Sequence, residues 1–223
     1  MKINSVVFDM DGLMLDTEWT TYRLSRENAA KMGYDITLDL FKQTVGKRSP
    51  DTKLFYKSIF GDEFDFDRLR QMNLDGFRRL VEEHGVPKKP GIDELLIYLK
   101  DKGIKCAVAS STSREVAEDL LKRADIYKYF SAGVFGNMVE HGKPAPDIFI
   151  EAAKRLDIPC NECMCLEDSH NGIRAGHSAG MVTVMVPDML PPNEEIIQKV
   201  YAVADDLFGV IDIIERINSG GKG

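Results

Sequence analysis

Residues 6–12 have the sequence VVFDMDG, an apolar run that leads into two aspartates two positions apart. A short apolar run of this kind is typical of a strand buried on both faces of a sheet. Residues two apart on a strand point to the same side, about 6.6 Å from each other. The strand would therefore present the carboxylates of Asp9 and Asp11 together at its end, where Gly12 permits a turn that other residues resist.

Two neighbouring carboxylates are costly to hold beside an apolar core unless a cation or a proton accompanies them. Mg²⁺ is the cation that best suits a site made only of oxygen atoms. A simpler interpretation is a strand that ends in a polar turn, with Asp11 and Gly12 as turn residues. These residues alone do not decide between the two interpretations, so the rest of the chain must.

The composition is that of an ordinary soluble globular protein, with 43% hydrophobic and 29% charged residues in a chain of 223. The formal net charge of −7 disfavours non-specific binding to nucleic acid or to an anionic membrane. It does not exclude a small phosphorylated partner, because a few positive groups can gather at one site. We expect no nucleic-acid partner, no membrane partner and a monomeric protein.

The sequence predicts neither a membrane span nor a signal peptide. No apolar run reaches about 18 residues, so no membrane span is expected. The segment after Met1 enters strand-like sequence at once and lacks the pattern of a signal peptide, which predicts a cytoplasmic protein. We interpret residues 219–223, SGGKG, as a flexible end or a remnant of cloning.

The cysteines do not predict a zinc site or a disulfide. Cys160, Cys163 and Cys165 form a C-x2-C-x-C cluster, but a structural zinc site usually needs a second pair of ligands. Cys106 and Cys165 lie in strand-like runs, which is typical of small core residues.

The segment 16–87 is predicted to be a separate, wholly helical subdomain. Asp16 or Thr17 can cap a helix that runs to about Met32 and ends at Gly33, and residues 35–84 read as helical, with a restart at Pro50 and a break at 61–62. A Pro, Gly and Lys-rich linker at 84–91 marks the far boundary.

Beyond the linker the pattern changes to alternating helices and strands. Strands are predicted at 106–110, 133–136, 164–168 and 181–186, with helices near 92–99, 113–124, 148–156, 170–179 and 207–217. This order implies a parallel sheet with helices on both faces. The fold class is therefore α/β: a Rossmann-like core of residues 1–15 and 88–218, into which the small all-helical cap subdomain of residues 16–87 is inserted.

Polar side chains follow several of these strands where each strand ends. Asp9, Ser110, Glu167 and Asp168 all hold such positions, and ligands of open α/β sheets bind outside the carboxyl ends of the strands. The run of hydroxyls at 110–113 leads into a helix N-terminus, which favours an anion, and Lys143 adds a cation. Carboxylates for Mg²⁺, donors for phosphate oxygens and a lysine together indicate phosphoryl transfer.

At these residues the chain resembles the haloacid dehalogenase-like superfamily, in particular its phosphatase and β-phosphoglucomutase-like branch, and the resemblance covers nearly the whole chain. Four motifs occur in the family's order: the first is Asp9-Met10-Asp11-Gly12, the second is Ser110, the third is Lys143 within GKPAPD, and the fourth is the LEDSHNGI stretch that contains Glu167 and Asp168.

The resemblance implies a role for each aspartate of the first motif. Asp9 is the expected nucleophile, which forms an aspartyl-phosphate. Asp11 is the expected general acid and base, which protonates the leaving group and then activates water, and its main-chain carbonyl is expected to bind Mg²⁺. A dehalogenase needs only the first acid, so the presence of Asp11 favours a phosphatase.

The other motifs complete the expected site. Asp168 is implied as a direct Mg²⁺ ligand, Glu167 as a ligand or a supporting group, and Lys143 as the cation between Asp9 and the phosphoryl group. The expected metal-binding residues are Asp9, Asp11, Glu167 and Asp168. The expected phosphate-binding residues are Gly12, Ser110, Ser111, Thr112 and Lys143.

The cap subdomain of this family closes over the crevice, so residues at its edges are expected to select the substrate. Our candidates are Glu18, Trp19, Thr21, Lys47 and Arg48. The simpler interpretations place Trp19 in the core and Lys47 and Arg48 on a solvated surface.

The leading hypothesis is a Mg²⁺-dependent phosphatase that acts on a small phosphorylated metabolite, a sugar phosphate or a similar monoester. The second is a β-phosphoglucomutase. Mutases of this branch carry a histidine where Thr21 stands here, and either Arg48 or Ser49 occupies the place of their cap arginine. The third, a receiver-type phosphoaccepting signalling module, is disfavoured because receivers are shorter, lack a helical insert and have no aspartate at the position of Asp11.

Overall fold

The computed structural model describes residues 2–220; Met1 and residues 221–223, part of the tail predicted to be flexible, lie outside the described residues. The strands are β1 (Ser5–Phe8), β2 (Lys105–Ser110), β3 (Ala132–Phe135), β4 (Cys163–Glu167), β5 (Val182–Met185) and β6 (Ala202–Val203). The α-helices are α1 (Glu18–Lys31), α2 (Leu38–Lys42), α3 (Ser49–Phe60), α4 (Phe66–His84), α5 (Ile92–Asp101), α6 (Arg114–Arg123), α7 (Asp147–Leu156), α8 (His170–Ser178), α9 (Glu194–Ile197) and α10 (Leu207–Asn218).

All six strands form one parallel sheet in the order β3-β2-β1-β4-β5-β6. The strand order reverses at β1, which lies between β2 and β4. In open parallel sheets the ligand binds at such a point of reversal, outside the carboxyl ends of the strands. The predicted Rossmann-like α/β fold is confirmed, and this rule indicates a ligand-binding edge at the end of β1 that carries Asp9.

The alternation of side chains along β1 explains why this strand is buried throughout. Val6 and Phe8 pack into a cluster with apolar residues of α5, α6 and α10, whereas Val7 points to the opposite face and packs with α7 and α8. Successive strand residues point to opposite faces, so an uninterrupted apolar run is what a strand covered on both sides requires.

The segment between β1 and α5 contains helices α1–α4 and no strand among its described elements. Loops at 43–48 and 61–65 separate α2, α3 and α4, which agrees with the predicted helix restart at Pro50 and the predicted break at 61–62. These helices share an apolar cluster to which the rest of the chain contributes Met189 and Leu190. The two segments that connect these helices to the rest of the chain lie side by side. The amide of Asp16 donates to the carbonyl of Pro87 at 2.9 Å, and Leu15 pairs with Lys88.

Other differences from the predicted elements are small. The short strand β6 and the short helix α9 were not predicted, because two and four residues carry too little periodicity to be recognised. Strand β4 ends at Glu167 rather than at Asp168. Cys106 and Cys165 are free and buried, as predicted. Among residues 2–220, none of the helices has the length and apolar character needed to cross a bilayer.

Candidate active site

Three carboxylates converge where the central strands β1 and β4 end. Asp9, Glu167 and Asp168 are all buried, and one oxygen from each lies within 4.8 Å of the others. The register of the sheet sets this arrangement, because Phe8 pairs with Leu166 and the amide of Asp9 donates to the carbonyl of Leu166 at 3.0 Å. The sequence prediction that these acids meet at one edge of the sheet agrees with this geometry.

The ammonium group of Lys143 lies among these carboxylates. It donates to Asp9 Oδ1, to Glu167 Oε1 at 2.6 Å and to the carbonyl of Ala109 at 3.0 Å, and it lies 5.1 Å from the centre of the Phe149 ring. Burial by itself lowers the pKa of Lys143, but the charges of Asp9 and Glu167 outweigh that effect and raise it. Lys143 therefore remains a cation inside an otherwise acidic site.

The acidic side chains still carry more negative charge than one lysine can offset. Burial raises the pKa of Asp9 to about 8, although Lys143 acts in the opposite direction. The pKa of Asp168 is raised well above its usual value by burial and then by Glu167 and Asp9, and burial together with Asp11 and Asp9 raises the pKa of Glu18 to about 8. Such groups favour either protons or a bound cation.

The oxygen atoms present fit a divalent cation of the Mg²⁺ type. Asp168 Oδ2 is buried and has no hydrogen-bond partner, and all the nearby acidic donors are oxygens, as Mg²⁺ prefers. Glu167 differs from Asp168, because its Oε2 already accepts from the amide of Ser169 at 2.8 Å and from the Ser169 hydroxyl at 2.9 Å. Asp168 is thus the acid with a free oxygen, while Glu167 is held by its neighbours.

The carboxylate of Asp11 is held by a separate set of hydroxyl groups. Thr17 donates to its Oδ1 at 2.7 Å, and its Oδ2 accepts from Thr112 at 2.8 Å and from Ser110 at 3.4 Å. Thr17 occupies the N-cap position of α1 but makes no capping bond with its side chain, because its hydroxyl is turned towards Asp11. These bonds orient one carboxylate apart from the cluster of Asp9, Glu167 and Asp168.

Gly12 allows the backbone to approach the acidic site closely. Its φ is +84°, and a Cβ at this position would lie 2.5 Å from Asp168 Oδ2. Glycine is therefore required both by the backbone conformation and by the space that Asp168 occupies. This is a structural reason for the glycine that follows the two aspartates.

Two of the predicted phosphate-binding hydroxyls lie close to Asp11. Ser110 is fully buried; its oxygen accepts from the amide of Thr112 at 3.0 Å and its hydroxyl donates to Asp11 Oδ2 at 3.4 Å. A contact between the Ser110 hydroxyl and phosphate stays a prediction. Ser111 and Thr112 do line the cavity in front of Asp9, just before α6 begins.

Two supporting residues were not identified from the sequence. Ser169 caps α8 and holds Glu167, as described above. A Cβ at Gly172 would lie 1.6 Å from Glu167 Oε1, so this glycine makes room for the carboxylate inside the first turn of α8 rather than shaping a turn before it. The sequence did offer a signal for this helix start, because Ser169 is a residue type typical of the N-cap position.

Four of the five candidate residues at the edges of the cap line the same cavity as Asp9: Glu18, Thr21, Lys47 and Arg48. Lys47 and Arg48 are half-buried, so the interpretation as a fully solvated surface was wrong. Trp19 is 38% exposed and packs edge-on against Tyr22 without lining the cavity. Trp19 is therefore not the core residue of the simpler interpretation, and its role as a substrate contact stays a prediction.

A comparison of the sequence with models of protein families identifies the family of this chain. A family model described as haloacid dehalogenase-like hydrolase matches residues 6–186, a span that contains every motif residue named above. The chain belongs to this family, as its four motifs predicted.

Similar proteins within the family include named phosphatases. The chain is 31% identical over 179 residues to the phosphorylated carbohydrates phosphatase of Thermotoga maritima, covering 80% of this chain and 82% of that protein. It is 32% identical to a probable pseudouridine-5'-phosphatase of Drosophila melanogaster, covering 84% and 83%. The predicted enzyme class, a phosphoric monoester hydrolase, agrees with these relatives.

A solved structure with the same architecture is the β-phosphoglucomutase of Clostridium difficile. The TM-score is 0.82 at 26% identity, and the alignment covers 98% of both chains. The fold is therefore shared by proteins named as phosphatases and by proteins named as mutases, and the distinction between the two has to come from the site.

Proposed function

We propose that this protein is a Mg²⁺-dependent phosphatase that hydrolyses a small phosphorylated metabolite, a sugar phosphate or a similar monoester, through an aspartyl-phosphate on Asp9. The observation that carries the proposal is the convergence of Asp9, Glu167 and Asp168, with Lys143 bonded to Asp9 and Glu167 and with Asp11 held apart by hydroxyl groups. This arrangement supports Asp9 as the nucleophile and Asp11 as the acid and base.

The metal would be held by Asp9, Asp168 and the main-chain carbonyl of Asp11, with Glu167 positioning Lys143 beside them. When bound, Mg²⁺ would supply positive charge that offsets the carboxylates and the phosphoryl oxygens. The free oxygen of Asp168 and the raised pKa of Asp9 support this assignment.

The side chains of the protein would divide the reaction into two displacements. A carboxylate oxygen of Asp9 attacks phosphorus, the bond from phosphorus to the ester oxygen breaks, and Asp11 gives its proton to the leaving alkoxide. Asp11 then takes a proton from water, whose oxygen attacks phosphorus and releases inorganic phosphate and free Asp9. Lys143 stabilises the negative charge on Asp9 and on the transferring group.

The helical segment of residues 16–87 would act as the cap that covers this site. Its loop at 43–48 already touches the core, because the hydroxyl of Ser111 donates to the carbonyl of Gly46 at 3.3 Å and Arg48 donates to the carbonyl of Glu140 at 3.0 Å. A cap in this position excludes water from the reacting groups, which strengthens the electrostatic interactions there.

The test is a phosphate-release screen over phosphorylated metabolites with Mg²⁺, with chelator and with Asp9→Asn as the control. We expect release that requires Mg²⁺ and is lost in Asp9→Asn. Full activity in Asp9→Asn would show that the nucleophile is another residue, and full activity with chelator would show that the metal is not needed.

A β-phosphoglucomutase is the second candidate, supported by the likeness to the Clostridium difficile enzyme. Thr21 lines the cavity at the position where mutases of this branch carry a histidine, and a threonine cannot relay a proton as histidine does near neutral pH. Isomerisation of β-glucose 1-phosphate without net phosphate release would favour the mutase over the phosphatase.

A further inference from the structure

The cavity that opens beside Asp9, Asp11 and Asp168 continues far into the cap. Its volume is about 470 Å³, and it extends between α1, α4 and α6, which is within the range of cavities that enclose small ligands. The part that lies away from the carboxylates is lined mainly by apolar side chains, among them Leu24, Phe41, Leu69, Leu74, Phe77 and Val116.

Several polar side chains in this part of the cavity already have protein partners, whereas the buried hydroxyl of Tyr56 has none among residues 2–220. Asn73 donates to the hydroxyl of Ser25 at 2.8 Å and accepts from Asn28 at 2.9 Å. The hydroxyls of Thr44 and Thr52 donate to main-chain carbonyls of the preceding turn, at 2.7 and 3.2 Å. Apart from the Tyr56 hydroxyl, a ligand with many hydroxyl groups would have few free donors and acceptors to meet here, and unpartnered buried hydroxyls are costly.

Two of the three cationic side chains that line the cavity from the cap are also engaged. The ammonium of Lys47 lies 4.6 Å from the centre of the Phe55 ring, and Arg48 pairs with Asp51 at 3.1 Å. Arg70, the remaining cation on the cap wall, is exposed to solvent. The deep part of the cavity is thus matched to an uncharged group rather than to a second anion.

We infer that the substrate, under the proposed phosphatase function, is a phosphomonoester of an alcohol whose body beyond the ester carbon is apolar, either alkyl or aryl. Its phosphate would lie at Asp9 and Lys143, its first carbons beside Glu18 and Thr21, and its apolar body against Leu74 and the neighbouring walls. This narrows the proposed substrates to monoesters other than polyhydroxylated sugar phosphates.

The test compares primary-alcohol phosphates, for which the chemistry of the leaving group is similar: ethyl, butyl and hexyl phosphate, 2-phenylethyl phosphate and glucose 6-phosphate, all with Mg²⁺. We expect KM to fall about fourfold for each added methylene between ethyl and hexyl phosphate, because each buried methylene contributes a constant transfer free energy. We also expect kcat/KM for 2-phenylethyl phosphate to exceed that for glucose 6-phosphate by at least about tenfold.

Two leucines on α4 provide a matched pair of variants that tests whether the cavity wall causes the dependence of KM on chain length. Leu74 lines the cavity, whereas Leu80 is 37% exposed and does not line it. Leu74→Ser is expected to raise KM for hexyl phosphate about tenfold while inhibition by inorganic phosphate stays unchanged. Leu80→Ser is expected to leave both unchanged, and thermal melting curves verify that both variants fold.

The outcomes separate this inference from the proposed function. Hydrolysis of the whole series with no dependence on chain length, or with glucose 6-phosphate as the better substrate, would overturn the inference and leave the phosphatase in place. Equal KM changes in Leu74→Ser for ethyl and hexyl phosphate would also overturn it. p-Nitrophenyl phosphate is added as a further test substrate. If neither it nor any ester of the series is hydrolysed, the proposed phosphatase function is overturned and the inference with it.

Discussion

Replacing Gly172 with alanine should destabilise the protein although it adds a good helix former to a helix. The new Cβ would lie 1.6 Å from Glu167 Oε1 and 1.8 Å from its Cδ. Moving that carboxylate weakens its bonds to Lys143 at 2.6 Å and to the amide and hydroxyl of Ser169 at 2.8 and 2.9 Å. Hydrogen bonds to charged groups contribute about 1.5–3 kcal/mol each, so the loss of two of these three costs about 3–6 kcal/mol. Alanine in a helix returns about 1 kcal/mol, so we expect a net loss of about 2–5 kcal/mol.

The assay is urea unfolding of Gly172→Ala and of the control Gly209→Ala, with Mg²⁺ titration of each folded variant. Gly209 also lies in a helix, but a Cβ there would meet Ala204 Cβ at an ordinary 3.6 Å, so this change should stabilise the protein by about 0.5 kcal/mol. A Gly172→Ala protein as stable as the wild type, with unchanged Mg²⁺ affinity, would refute the assignment of this glycine to the Glu167 carboxylate.

Three further predictions follow from the charges and bonds of the site. Lys143→Met leaves Asp9 and Glu167 buried without their cation, so urea unfolding should show a loss of about 3–5 kcal/mol and steady-state kinetics a fall in kcat of about a hundredfold or more; an unchanged kcat would contradict the role of the lysine. Because burial raises the pKa of Asp9 to about 8, the folded metal-free protein retains a proton that the unfolded chain releases above about pH 4. Its stability should therefore fall as pH rises towards 8, by up to about 1.4 kcal/mol per unit, and Mg²⁺ should raise Tm more at pH 8 than at pH 6; a larger increase at pH 6 would contradict this. Thr17→Val removes a 2.7 Å bond to Asp11 and should lower kcat about tenfold with little change in Mg²⁺ affinity, as kinetics and metal titration can show; equal losses in both would indicate a general structural role.

The sequence was sufficient to predict the core of the fold because its signals are strong and local. The VVF run before Asp9 has no polar residue, which a strand covered on both faces requires, and the strands that pair with it show the same pattern. The short strand β6 and helix α9 were missed since they are held by their neighbours rather than by a periodic pattern of their own.

The sequence was sufficient to predict which strand ends meet at the candidate site, but not which hydrogen bonds its side chains make. The rule for parallel sheets brings Asp9 and Glu167 together without any structure. It cannot show that the Ser110 hydroxyl turns to Asp11, because this depends on the position of Thr112 after the strand. Likewise, the exposure of Trp19 depends on which face of α1 meets the rest of the cap.

The most direct test of the proposed mechanism is to find the residue that carries the phosphoryl group during turnover. The enzyme is mixed with excess substrate and Mg²⁺, quenched in acid, and treated with borohydride, which reduces an acyl phosphate to an alcohol; sequencing of the N-terminal peptide then locates the modified residue. The account predicts modification of Asp9, and none in Asp9→Asn. Modification of Asp11, or a quenched enzyme with no modified carboxylate at any time during turnover, would contradict it.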